Sequence, residues 1–185
     1  KTEQSSFDKV EYRLVMNRNV ITYNDGYKTI DSLENSLDEP NQKQLSKIYL
    51  LRAQYDYAYN HYYLGMKHAL KAIDLAKKSK YERIIPALCI LLGSTYIKIG
   101  DFETALKYLD HGQKAFANDA YNYEKLDRCI GQSSALFYKA QIYRELQDFE
   151  KSESLLNQAL KIYNFGNVEL DKLSKREQHE VSVLL

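Results

Sequence analysis

Residues 92–109 read LGSTYIKIGDFETALKYL, and residues 139–156 read KAQIYRELQDFEKSESLL. Laid over each other, Gly93 falls on Ala140 and Tyr96 on Tyr143. Gly100-Asp101-Phe102 falls on Gln147-Asp148-Phe149, and Ala105 on Ser152. A segment that returns in register at this length marks a repeat array, in which each unit buries its apolar face by stacking on its neighbours. Each copy reads as two helices joined by a tight turn. Gly100 suits the left-handed conformation that ends a helix. Asp101 then offers a side-chain oxygen to the free N–H groups of the next helix, as Asp148 does before Phe149. Asn60 is expected to do the same before His61-Tyr62.

Working outward, four aromatic residues are aligned as openers of the second helix of each unit: Tyr27, Tyr62, Phe102 and Phe149. Their spacings are 35, 40 and 47 residues. Small residues recur where two helices must cross: Ala53, Gly93 and Ala140 on the first helix; Gly65, Ala105 and Ser152, then Ala72, Gly112 and Ala159, on the second. Small side chains let helices approach closely while neighbouring Leu, Ile and Tyr fill the grooves. The pattern predicts nine helices, at about 7–23, 26–38, 42–59, 61–79, 83–99, 101–117, 122–146, 148–164 and 172–185. They group into one domain over 1–185, with units at about 7–38, 42–79, 83–117 and 122–164. The segment 172–185 reads as the first helix of a truncated fifth unit, because Ser182-Val183-Leu184-Leu185 matches Cys89-Ile90-Leu91-Leu92.

Composition agrees. Seven Gly and two Pro in 185 residues leave few turns, which suits long helices with short connections. The balance of 26 basic against 25 acidic side chains carries no electrostatic footprint for nucleic acid or an anionic membrane. There are 17 Tyr, 6 Phe and no Trp. Tyrosine pairs an apolar ring with a polar tip and suits half-buried helix faces. Cys89 and Cys129 form no CxxC pair and no metal spacing. No apolar run approaches the length of a membrane span. The chain opens at Lys1 and shows no signal-peptide pattern. Its compartment therefore stays unassigned between the cytoplasm and, for a processed protein, the periplasm.

The order Gly/Ala, then Tyr, then Gly-Asp-Phe, then Ala resembles the tetratricopeptide repeat. The match is strongest in Leu92–Leu109 and Ala140–Ala159, moderate in Ala53–Ala72 and weak in Arg18–Leu37. Asp56 departs from it, standing where Tyr96 and Tyr143 stand. Arg18, Ile30 and Glu34 break the small-residue pattern of the first unit, which reads as a divergent cap. The resemblance implies an all-α, right-handed superhelix of antiparallel helix pairs, an α-α solenoid. Its concave groove would be lined by the first helix of each unit. In that register the groove residues are Asn19, Leu50, Gln54, Tyr57, Ile90, Ser94, Ile97, Phe137, Gln141 and Arg144. Such a lining fits recognition of a peptide or protein by packing plus a few backbone hydrogen bonds. The family's carboxylate clamp sets a Lys and an Asn one turn apart. Leu50/Gln54, Ile90/Ser94 and Phe137/Gln141 stand there instead, which argues against capture of a chain terminus.

No catalytic constellation is visible. His61 and His68 lie about 10 Å apart along a helix, too far to share a metal. There is no HExxH, P-loop or GxGxxG. The sequence therefore points to a non-enzymatic binding domain with no cofactor and no metal. Its expected partner is a protein or peptide in the groove, with no direct nucleic-acid binding and no membrane insertion; a homodimer is left open. The resemblance extends to arrays in larger bacterial transcription regulators and signalling proteins, whose repeat spacings are similarly long. The alternatives are a receptor for a short signalling peptide, Rap/PlcR-like, and a non-switching assembly scaffold. Lys67, Lys71, Lys77, Lys78, Lys80 and Arg83 read as a solvated helix face.

Overall fold

The computed structural model describes residues 22–37, 39–118 and 121–165. Seven α-helices lie within them: α1 Tyr23–Asn35, α2 Gln42–Ala58, α3 Tyr62–Lys78, α4 Ile85–Lys98, α5 Phe102–Ala117, α6 Lys125–Glu145 and α7 Phe149–Phe165. A 3-10 turn, Glu82–Ile84, precedes α4. The helices expected at 7–23 and 172–185 lie outside the described residues, as does Asn19. The fold is all-α, built of antiparallel helix pairs. It divides into two compact units, with the boundary between Ile84 and Ile85.

Helix starts follow local chemistry. Thr22 caps α1, its Oγ1 accepting from the Asp25 N–H at 3.2 Å. Asn41 and Gln44 form a reciprocal box at the start of α2: the Gln44 N–H donates to Asn41 Oδ1 at 3.0 Å and the Asn41 N–H to Gln44 Oε1 at 2.8 Å. Asp101 accepts from the Thr104 N–H at 3.0 Å, and Asp148 from the Lys151 N–H at 3.1 Å. Asn60 does something else. It takes φ 63°, and the residue capping α3 is His61, which makes no side-chain cap bond.

Asn60 is the turn residue itself, matching Gly100 at φ 82° and Gln147 at φ 62°. The three turns share one bonding scheme. The N–H of Asn60, Gly100 and Gln147 reaches Tyr57 O, Ile97 O and Arg144 O at 3.0, 3.1 and 3.0 Å. The next N–H, of His61, Asp101 and Asp148, reaches Asp56 O, Tyr96 O and Tyr143 O at 2.8, 3.0 and 2.8 Å. Last-turn carbonyls are satisfied this way by a left-handed residue, and asparagine and glutamine carry a Cβ there that glycine lacks.

The small-residue positions all fall at buried crossings. Ala53, Gly93 and Ala140, their partners Gly65, Ala105 and Ser152, and the third set Ala72, Gly112 and Ala159 are buried. The first repeat differs from the sequence expectation by one turn. α1 opens at Tyr23, so Tyr23 and not Tyr27 matches Tyr62, Phe102 and Phe149. Gly26 then takes the small position. A Cβ there would sit 1.9 Å from Tyr55 Oη, so only glycine admits that ring.

In the first unit α2 packs on α3 along most of its length, and α1 packs on α2. Ile30, Leu33, Ile48, Leu51 and Tyr55 form its core, with Tyr23, Tyr27, Leu37 and Tyr59 around them. Arg52 fixes α1 further, its Nη2 donating to Asp31 Oδ1 and Glu34 Oε2, both at 2.7 Å. In the second unit each helix packs on the next, and α4 also touches α6. Such nearest-neighbour packing is solenoid stacking. Ile90, Ala105, Leu109, Phe116, Ala135 and Ile142 form the core there. Two hydroxyls staple α6 to α7: Ser133 Oγ donates to Ala159 O at 3.0 Å, and Ser152 Oγ to Ala140 O at 2.9 Å.

Candidate functional site

One set of positions recurs on the first helix of each pair. Leu50, Gln54 and Tyr57 lie on α2; Ile90, Ser94 and Ile97 on α4; Phe137, Gln141 and Arg144 on α6. Spacings of four and three residues put each trio on one helical face. Leu50, Gln54 and Tyr57 are half-buried, and the Tyr57 ring lies 5.8 Å from that of Tyr62.

In the second unit Ile90 belongs to the core, and Ser94 is buried with its hydroxyl donating to Leu91 O at 2.8 Å. Ile97 is half-buried against that core. Phe137 and Gln141 are half-buried, and Phe137 meets Tyr138 edge-on at 5.7 Å. Arg144 is exposed, with its Nη2 3.8 Å from Glu145 Oε1, too long for a strong hydrogen bond. The side chains of this set that reach the surface in the second unit are therefore Ile97, Phe137, Gln141 and Arg144. α6 is tied to α5 by Lys139, whose ammonium pairs with Asp110 and donates to Gln113 Oε1 at 2.5 Å.

A second feature lies where α1, α2 and α3 meet. Asp56 is fully buried. Its Oδ1 accepts from the Tyr23 and Tyr27 hydroxyls, each at 2.7 Å, and its Oδ2 lies 2.6 Å from His68 Nδ1. The Tyr27 hydroxyl also lies 3.4 Å from His68 Nδ1. A carboxylate removed from water is tolerable when both of its oxygens are engaged, as they are here. Burial, and then the Asp56 carboxylate, push the Tyr27 phenol well above its usual range. The same two causes raise Tyr23. Tyr55, Tyr59 and His61 close around Tyr23, with ring centroids 5.8, 5.5 and 4.2 Å from it.

Sequence reasoning noted Asp56 as a departure from the repeat and considered His68 only beside His61. The crossing geometry explains both residues. Positions 56 and 68 face each other across their helix pair, as 96 and 108 do in the next repeat. There Tyr96 and Tyr108 stack at 5.5 Å with 10° between the planes. The Tyr/Tyr contact of one repeat is an Asp/His contact in the other.

Among the described residues, no group of three or more His, Cys, Asp or Glu is placed to hold a metal ion. No helix among them is long and apolar enough to cross a membrane. Neither a curated protein nor a solved structure matches the chain. A family model does match, twice: residues 86–119 and 133–165 fit the tetratricopeptide repeat. The first segment covers α4 and α5, and the second the greater part of α6 with α7. Such repeats generally mediate protein–protein interaction. With matched segments that coincide with two crossing helix pairs, this chain carries two tetratricopeptide repeats.

Proposed function

We propose that the second unit binds a protein segment or peptide on the face shared by α4 and α6. Ile97 and Phe137 supply apolar contact, Gln141 bonds the peptide backbone, and Arg144 pairs with an acidic group. The reading is supported by those four side chains reaching the surface from matching positions of α4 and α6, two first helices in contact. A half-buried aromatic ring beside an amide and an exposed guanidinium is the composition of an interface anchor. Leu50, Gln54 and Tyr57 offer the same register in the first unit.

In the cell the domain serves as the sensory or regulatory module of a larger bacterial transcription regulator or signalling protein. That context rests on repeat spacings of 40 and 47 residues in the last three units, which resemble arrays of that kind. A half-buried amide on a first helix, Gln54 in the first unit and Gln141 in the second, supports a second reading, a receptor for a short peptide.

A random peptide display library panned against the whole chain tests the proposal. Selected peptides should lose at least tenfold in affinity on Phe137→Ala or Gln141→Ala. They should bind normally to Tyr63→Ala, a change at an exposed side chain of α3. Peptides that bind all three variants equally would sink it.

A further inference from the structure

We infer that residues 172–185 form a helix that packs on the open side of α7, over its C-terminal half, with Glu177 accepting a hydrogen bond from the Tyr163 hydroxyl. The starting point is a contrast between two helices in one register. α5 and α7 are both second helices, and Phe102 aligns with Phe149. α5 packs on α4 and on α6, whereas α7 packs on α6. Leu109 of α5 is fully buried, but its counterpart Leu156 is 38% exposed. Gln113 is half-buried, and its counterpart is an apolar residue, Leu160, at 43% exposure. Phe116 is buried in the core of the unit. Its counterpart Tyr163 has a buried hydroxyl with no hydrogen-bond partner among the described residues. A buried donor left unpaired costs free energy, so Tyr163 Oη calls for an acceptor.

The chain after α7 supplies the complement. Ser182 aligns with Cys89 and therefore with Leu136 of α6. On α6, Gly131 meets Phe116, Ala135 shares a core cluster with Leu109, and Lys139 bonds Asp110 and Gln113. The counterparts of Gly131, Ala135 and Lys139 are Glu177, Val181 and Leu185. The two sides of the contact change together. Where Lys139 faces Asp110 and Gln113, Leu185 faces Asn157 and Leu160. Where Gly131 faces the Phe116 ring, Glu177 faces a phenol that needs an acceptor. A Cβ at position 131 would lie 2.4 Å from that ring, so the Glu177 end of the new helix stands further from α7. A hydroxyl-to-carboxylate bond bridges that wider gap. Six residues, 166–171, join Phe165 to Lys172, against seven, 118–124, between α5 and α6. A tether this short presents the segment at an effective concentration on the order of millimolar, which favours it over a second copy of the chain.

Amide hydrogen exchange of the whole chain, followed peptide by peptide, tests this. Amides of 172–185 should exchange at least about tenfold more slowly than in an unstructured chain, and equally so at low and high protein concentration. Leu160→Asp puts a charge on the open strip and should abolish that protection, while α4, α5 and α6 remain protected. Glu177→Ala should weaken it, and should weaken it no further when Tyr163→Phe is added, because the two groups share one bond. Phe149→Ser, at an exposed side chain near the other end of α7, should leave it unchanged. Unprotected amides at 172–185 would overturn the inference, as would protection that survives Leu160→Asp or is untouched by Glu177→Ala. Protection that grows with protein concentration would place a second copy on this face and overturn it too.

Discussion

Gly65 and Gly93 both sit at helix crossings, yet the structure assigns opposite signs to the same Gly→Ala change. A glycine inside a helix costs about 1 kcal/mol relative to alanine, so each substitution begins with that gain. At Gly65 the new methyl would meet Ala53 O at 3.3 Å, Asp56 Cβ at 3.4 Å and Tyr57 N at 3.5 Å. These contacts are close but near ordinary van der Waals range, and Ala105 already holds the matching position. Gly65→Ala should stabilise by about 0.5–1 kcal/mol. At Gly93 the methyl would lie 2.6 Å from Leu109 Cγ, 2.7 Å from its Cδ2 and 3.2 Å from Ala105 O. Leu109 is fully buried and cannot swing aside, and Ala105 O is backbone. Overpacking of this kind costs about 1–3 kcal/mol. It outweighs the propensity gain, so Gly93→Ala should destabilise by about 1 kcal/mol.

The second unit also contains the control. Leu109→Ala alone should cost about 2–5 kcal/mol through its cavity. In the double variant, Gly93→Ala with Leu109→Ala, the clash is gone and the helix-propensity gain at position 93 is recovered. The cycle should show a favourable coupling of about 1–3 kcal/mol. The first unit already holds that combination, with Ala53 at the place of Gly93 and Ala69 at the place of Leu109. Urea denaturation of the whole chain, followed by circular dichroism, reads the midpoint shifts at constant slope. Additive single effects would refute the steric reasoning, as would a Gly93→Ala variant as stable as Gly65→Ala.

Three further outcomes follow from local geometry. Gly100→Ala places a Cβ in open space, with no neighbour within 4 Å, but at φ 82°. The cost is purely backbone, about 1–2 kcal/mol, and a melting temperature equal to wild type would contradict it. Asp101 is held below the usual carboxylate range, first by the Thr104 backbone N–H and then by the Thr104 side chain. Its stabilisation is complete above the unfolded pKa and is lost as pH falls through the depressed folded value. Asp101→Asn keeps a capping oxygen and removes that acid-side loss, so melting temperatures of the two proteins should converge as pH is lowered toward 3. Lys139→Met removes an ammonium whose side chain is only 11% exposed from Gln113 and from the half-exposed Asp110, and should cost about 1 kcal/mol. Lys107→Met, at an exposed pair with Glu103, should leave the urea midpoint where it is.

The repeat architecture was legible because it rests on volume at fixed helical spacing. Ala105, Gly112, Ala140 and Ala159 are small for the reason the alignment supplies, and the second helices that α3, α5 and α7 provide begin at the aromatic residues the alignment chose. The Asp101 and Asp148 caps were legible because a cap acts over three residues of chain. Asn60 was misread because asparagine serves two ends of a helix equally well, as a cap or as a left-handed turn residue. Only the bonds from Asn60 and His61 back to Tyr57 and Asp56 decide between them. The binding face was legible as a register, whereas the exposure of each member was not. Periodicity places Ser94 and Gln141 at matching positions. Neighbouring packing buries one and leaves surface on the other.

The Asp56 centre was hidden by the one-turn error in the first repeat. With Tyr27 taken as the helix opener, Tyr23 falls at the end of the preceding helix, and the two hydroxyls that hold the carboxylate belong to different elements. Asp56 then looks like a polar residue intruding on an aromatic position. Moving the helix start to Tyr23 brings both hydroxyls onto one face of α1 and sets Gly26 against Tyr55, whose hydroxyl donates to Thr22 O at 2.9 Å. The same shift that restores the small residue of the first repeat supplies the partners of the buried acid. A Tyr/Tyr stack such as that of Tyr96 and Tyr108 needs only two rings of matching shape. An Asp/His pair at that crossing needs donors from a third helix. The substitution at 56 and the tyrosines at 23 and 27 are therefore one structural feature, whose members lie 33 and 29 residues apart in the chain.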